Sequence, residues 1–152
     1  MSFAEIVLRL GVAFVGWIVI YMHLIGMLVV RIARCPGSDM SPWKMTMATA
    51  LLTLALSFAL TYGHRLRGAN ELARYTALPL LPLLPWAVLV SLPYLTGTTF
   101  GTHNVCDVRL AMSSGVMPAG WERAWAPLQL AALVAIAING WRVWRLDPAR
   151  ED

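Results

Sequence analysis

Long apolar runs, separated by short clusters of charged residues, dominate the pattern of this chain. Four runs contain no Asp, Glu, Lys or Arg, and they cover residues 10–30, 45–63, 75–102 and 124–141. A helix that crosses a bilayer needs about 20 apolar residues, so each run is long enough to span. The pattern predicts an all-α membrane protein, an antiparallel bundle of four transmembrane helices at about residues 6–31, 43–64, 75–96 and 121–143.

Composition supports the same class, because 59% of the residues are hydrophobic and 13% are charged, against about 25% charged in soluble domains. The segments between the runs are shorter than the roughly 50 residues at which soluble domains begin. We therefore expect one transmembrane domain over residues 1–152. The twelve Lys and Arg lie at the ends of the runs, where basic residues snorkel, so the expected partner is the lipid bilayer and not nucleic acid. The first run exceeds the apolar core of a signal peptide, and we expect it to be retained.

An even number of spans places both termini on one side of the membrane. That side holds seven basic residues and the other side five: Arg9, Arg65, Arg67, Arg74, Arg142, Arg145 and Arg150 against Arg31, Arg34, Lys44, Arg109 and Arg123. The richer side is expected to be cytoplasmic. The chain is thus predicted to be a multi-pass protein of a bacterial inner membrane, with cytoplasmic termini and with loops 32–44 and 96–123 exported.

The two cysteines, Cys35 and Cys106, fall one in each exported loop. Disulfides persist in exported segments, and neither cysteine has another partner in the chain. We predict a disulfide between them. Two free buried thiols, or a copper site shared with His103, are the competing interpretations.

The third span is rich in proline, with Pro79, Pro82 and Pro85 at every third position and Pro93 after them. Proline lacks a backbone donor, so we predict a kinked or broken span that packs against something. In the alternative interpretation Pro79 and Pro82 lie in the first turn, and only Pro85 kinks the helix within the membrane.

Polar and small residues form stripes on three of the predicted helices. Helix interfaces in bilayers are enriched in such residues because they allow close approach and hydrogen bonding. The expected interface positions are Gly16, Thr46, Thr49, Thr53, Ser57, Thr61, Gln129 and Asn139. An ordinary bundle packed on these stripes is the simplest interpretation, and a functional site built there is the alternative.

Catalytic machinery is not visible in the sequence. All eight Asp and Glu lie outside the apolar runs, whereas ion-coupled transporters place acids inside the spans. No nucleotide-binding, nucleophile-elbow or zinc-protease motif occurs. We therefore expect a non-catalytic accessory subunit of a larger membrane complex, of the respiratory or another electron-transfer class, with other membrane subunits as partners.

The alternative is an outer-face metal or redox site. Thioether, thiolate and imidazole groups suit copper(I), and the candidate ligands are His23, Met27, Cys35, His103 and Cys106. Haem is a second possible cofactor, since an intramembrane histidine such as His23 is a functional candidate. A second axial histidine is missing at that depth, because His64 lies at the opposite face. The favoured interpretation of His23 is a buried side chain bonded to a hydroxyl of the second helix or to a partner chain.

The cysteine layout also resembles, in part, the disulfide-generating membrane oxidoreductases, which have four helices and cysteines in their exported loops. Those enzymes carry a cysteine pair in each loop to relay electrons to quinone. Here each loop contains one cysteine, so thiol redox chemistry remains only an alternative.

Overall fold

The computed structural model describes residues 2–32, 35, 41–57 and 78–145, and every regular element among them is helical. The five α-helices are α1 Phe3–Ile32, α2 Ser41–Leu56, α3 Leu80–Tyr94, α4 Val105–Leu110 and α5 Gly120–Arg145. A π-helical turn, Leu95–Thr99, continues α3. The prediction of an all-helical protein is confirmed for the described residues.

Three helices of the described chain are long and apolar enough to cross a membrane, and they cover Phe3–Val30, Leu80–Thr99 and Gly120–Arg145. These segments correspond to the first, third and fourth predicted spans. The second predicted span is described only in part, because α2 has 16 residues and the positions after Ser57 lie outside the described ranges. The described chain is therefore helical, with three helices that suit a membrane protein by length and composition, and the fourth span stays a prediction.

The helices pack side by side, with α1 against α2, both α2 and α3 against α5, and α1 against α3. One apolar cluster contains Ile20, Leu24, Leu80, Ala87, Leu133, Ile136 and Val143. A second contains Met27, Val30, Trp43, Val90, Tyr94, Val105, Trp125 and Ala126. Lipid tails are as apolar as these side chains, so close packing and interhelical hydrogen bonds hold such helices together.

The first two prolines of the third span are accommodated without a break. Pro79 is the N-cap residue of α3, and Pro82 lies in the first turn. Backbone N–H groups have no acceptor within the helix at these positions, so proline removes nothing there. The helix is continuous from Leu80 to Tyr94, so this part of the third span is not broken. The alternative interpretation, with Pro79 and Pro82 in the first turn, agrees with the structure, and a kink at Pro85 stays a prediction.

The other two prolines lie inside α3 and create an exposed face. Pro85 and Pro93 have no N–H to donate to the carbonyls of Leu81 and Leu89, four residues earlier. Both leucines are more than half exposed, and both prolines are exposed as well. We call Leu81, Pro85, Leu89 and Pro93 the proline face. It leaves two main-chain acceptors without their usual helical donors.

Candidate functional site

A cluster of polar side chains lies between α1, α2 and α5. Its members, here called the polar cluster, are His23 of α1, Thr46, Thr49 and Thr53 of α2, and Gln129 of α5. All are buried except Thr49, which is half-buried. The threonines recur every three or four residues, so helical periodicity puts them on one stripe of α2.

His23 is bonded to α2 through one ring nitrogen. Its Nδ1 lies 3.2 Å from the Thr49 hydroxyl oxygen. That hydroxyl donates to main-chain carbonyls of its own helix, those of Met45 at 3.1 Å and Thr46 at 3.0 Å. A hydroxyl has one hydrogen, so these two carbonyls and His23 Nδ1 compete for the hydrogen that Thr49 donates. Nε2 is buried and has no partner among the described residues.

Thr46 joins α2 to α5. Its hydroxyl donates to the Trp43 carbonyl at 2.8 Å and accepts from the Trp125 indole N–H at 2.9 Å. The amide nitrogen of Gln129 donates to the Thr46 carbonyl at 3.4 Å. Trp43, Trp125 and Tyr94 also pack edge to face on one another, with ring centroids 5.0 to 5.1 Å apart. These three aromatic residues thus form part of the buried core.

Two further polar atoms of the cluster lack a partner in the described chain, the Gln129 amide oxygen and the Thr53 hydroxyl. Together with His23 Nε2 they border two turns of α2. Burying a polar atom without a hydrogen bond costs free energy, because the atom loses its hydrogen bonds to water and gains none from the protein. The cluster therefore contains three buried polar atoms whose hydrogen-bonding capacity the described residues do not use.

Close approach of α1 and α2 occurs at a glycine. A Cβ atom on Gly26 would lie 2.9 Å from Cγ2 of Thr46, so a larger residue does not fit without a shift. Gly16, the glycine that the sequence selected as an interface position, is also buried, and its place in the helix interface stays a prediction.

The remaining predicted interface residues bond within their own helices. Ser57 donates to the carbonyl of Leu54 at 3.1 Å, and Asn139 donates to the carbonyl of Ala135 at 2.9 Å. Asn139 is buried and Ser57 half-buried. Thr61 lies outside the described residues, as does His64.

The structure does not bring together the five candidate metal ligands. Cys35 and Cys106 lie at disulfide distance from each other, with Cα atoms 5.7 Å apart. Met27 is buried in the second apolar cluster, and His103 is exposed. Within the described ranges, no three His, Cys, Asp or Glu side chains are grouped closely enough to hold a metal ion.

Two acidic residues outside the charge-free runs have structural roles that sequence reasoning missed. Glu122 is buried and accepts from the main-chain N–H groups of Val105, at 3.2 Å, and Ala119, at 2.6 Å. It thereby satisfies donors at the beginning of both α4 and α5. Asp107, also buried, accepts from the N–H and hydroxyl of Ser114. A Glu three residues after a helix start is a capping pattern, which was the available signal.

The carboxylates of Asp107 and Glu122 thus connect helices and loops. His23 Nε2 is a buried ring nitrogen without a hydrogen bond among the described residues. Comparison of the chain with protein-family models, with curated proteins and with solved structures found no match.

Proposed function

We propose that this chain is a non-catalytic accessory subunit of a larger complex in a bacterial inner membrane, of the respiratory or another electron-transfer class. In this proposal it crosses the membrane four times as an antiparallel bundle, with both termini in the cytoplasm. The seven basic residues on the side of the termini, against five on the other, support that orientation. Its partners are other membrane subunits of the complex.

The observation that carries the proposal is the proline face of α3. The carbonyls of Leu81 and Leu89 lose their usual donors there, and these leucines are 62% and 65% exposed. A main-chain acceptor without a donor costs several kcal/mol in hydrocarbon, where water cannot reach it. A partner subunit that covers Leu81 and Leu89 and supplies donors to their carbonyls removes this cost.

The placement of charge supports a non-catalytic role. All Asp and Glu lie outside the four apolar runs, where they could not relay protons or ions across the membrane. Asp107 and Glu122 are buried, and their carboxylates accept hydrogen bonds from main-chain N–H groups. An electron-transfer complex fits this pattern, because its cofactors and ion pathways can lie in other subunits.

Site-specific photo-crosslinking in native membranes tests the proposal. A photoreactive residue at Leu89 is expected to form a discrete adduct with another membrane protein. The same residue at Val134 of α5, which is 57% exposed, serves as the control and should label lipid. The purified adduct should carry haem, flavin or iron–sulfur absorbance from the partner subunits. A stable monomer that gives no adduct at Leu89 contradicts the proposal.

A second candidate function rests on His23. Its Nε2 is buried and has no hydrogen bond among the described residues, and a neutral imidazole nitrogen is a ligand for haem iron or copper(I). The second function would be favoured if the purified chain carried stoichiometric copper, or a haem Soret band that disappears in His23→Leu. Co-purification with larger subunits, and a His23→Leu variant with unchanged spectra, supports the accessory role.

A further inference from the structure

A cavity of about 400 Å³ opens where α3 meets α4. Six residues line it: Val90, Pro93, Tyr94, Val108, Arg109 and Leu110. The α3 residues belong to the candidate span Leu80–Thr99, whereas α4 follows that span. The cavity therefore extends from the hydrocarbon level toward the adjoining polar level of the membrane.

Arg109 brings an uncompensated positive charge to this cavity. Its guanidinium is half-buried, and its Nη1 lies 3.9 Å from Cys35 Sγ, a weak acceptor. No carboxylate of the described chain lies within ion-pair distance of it. The buried acids nearby, Asp107 and Glu122, already accept hydrogen bonds from other groups. The site thus has room and charge for an external anion.

The surroundings of Arg109 are held in place by the fold. Asn104 caps α4 by accepting from the N–H groups of Cys106 and Asp107 at 2.9 Å. Val105 and Val108 pack against the second apolar cluster. These contacts fix the helix that carries Arg109 relative to α3, so little ordering is needed when an anion binds.

The other walls combine polar and apolar surface. Val90 is buried, whereas Pro93 and Leu110 expose apolar surface beside Arg109. Proline also has no N–H that would need a partner there. A guanidinium binds phosphate with two parallel hydrogen bonds, so the complementary molecule has a phosphate head and a hydrocarbon tail.

We propose that this cavity binds one anionic phospholipid, with its phosphate on Arg109 and an acyl chain along Pro93 and Leu110. A lipid fits better than a soluble phosphate because part of the lining belongs to a membrane span. The neutralised charge also explains how a half-buried arginine is tolerated beside the hydrocarbon layer.

Native mass spectrometry of the purified full chain tests this assignment with two lipids of identical acyl chains. Phosphatidylglycerol should bind at one site about tenfold more tightly than phosphatidylcholine, a difference of ~1.4 kcal/mol. Arg109→Gln should abolish the preference. Arg123→Gln is the matched control, because Arg123 is an exposed arginine near the start of α5, and it should retain the preference. A preference that survives Arg109→Gln, or that Arg123→Gln also abolishes, overturns the proposal.

Two further measurements use the unmodified protein, so that a folding defect of the variant does not decide the outcome. Photoactivatable phosphatidylglycerol should label residues 90–94 or 105–110, and labelling confined to other segments overturns the site. Glycerol phosphate in excess should leave the bound lipid in place. Displacement by this soluble anion would overturn the lipid as the ligand.

Discussion

The hydroxyl of Thr99 donates a hydrogen bond of 2.8 Å to the main-chain carbonyl of Arg123. That carbonyl lacks its usual helical donor, because the residue four positions later is Pro127. The last residue of the π-helical turn after α3 therefore supplies the donor that α5 cannot. Two candidate spans are tied together at a proline that would otherwise leave an unsatisfied acceptor.

Substitution of Thr99 tests this link. Thr99→Val should lower the free energy of unfolding by about 1 kcal/mol, since it leaves the carbonyl without a donor. In a Pro127→Ala background the loss should shrink, because alanine supplies the missing N–H. Denaturant titration of the helical circular dichroism signal in detergent measures both steps. An equal loss in the two backgrounds would show that the Thr99 bond does not compensate for the proline.

Gly26 is expected to tolerate substitution poorly. An added Cβ would approach Thr46 Cγ2 to 2.9 Å, and Thr46 cannot rotate away without breaking its bond to Trp125. Gly26→Ala should therefore destabilise the protein by about 1–2 kcal/mol, even though alanine favours a helix by about 1 kcal/mol. Gly11→Ala is the control on the same helix, with nothing within 4 Å of the added atom. Equal melting temperatures for Gly26→Ala and Gly11→Ala would contradict the close approach of Gly26 to Thr46.

Substitutions of Glu122 should lower the stability of the protein by graded amounts. Glu122→Gln keeps one acceptor oxygen for the two N–H groups of Val105 and Ala119, and Glu122→Ala keeps none. The expected destabilisation is about 1 kcal/mol for glutamine and about 2–3 kcal/mol for alanine. Amide hydrogen exchange at Val105 and Ala119 should accelerate in the same order. Glu5→Gln is the control, since the pair of Glu5 with Arg9 lies near the exposed start of α1 and contributes little.

The sequence was informative about features that follow from helical periodicity. Thr46, Thr49 and Thr53 share a stripe because their spacing follows the helical repeat, whatever surrounds α2. Apolar runs likewise predict helices of membrane length, since bilayer thickness sets the required number of residues. Such features depend only on neighbours along the chain.

Features that depend on the register between helices could not be predicted. The close approach of Gly26 to Thr46 follows from the packing of α1 on α2. The proline pattern left two interpretations open, a kinked or broken span and prolines in the first turn, because it does not show where the helix begins. With Pro79 as N-cap, two of the four prolines fall where no donor is needed. Thr99 and Arg123 are 24 residues apart, and no local pattern links them.

The cysteine pair is predicted to be covalently linked. Cys35 and Cys106 are separated by 71 residues and have Cα atoms 5.7 Å apart, within the range that disulfides require. In the chain-entropy model a closed loop of this size stabilises the fold by roughly 4 kcal/mol. Mass-tagged maleimide should add no label in denaturant and two labels after reduction. Two labels without reductant would refute the bond, whereas Cys35→Ser should make Cys106 newly reactive.

The last prediction concerns the side of the membrane on which the loops lie. The excess of basic residues near the termini places residue Asp152 in the cytoplasm and Ser114 outside. A green fluorescent protein fused after Asp152 should fluoresce, because it folds in the cytoplasm. An alkaline phosphatase inserted at Ser114, an exposed loop position, should be active, since that enzyme needs export. The controls are alkaline phosphatase fused after Asp152 and green fluorescent protein inserted at Ser114, and neither should give a signal. The opposite pattern at both positions would invert the orientation, place both cysteines in a reducing compartment, and remove the reason for them to stay paired.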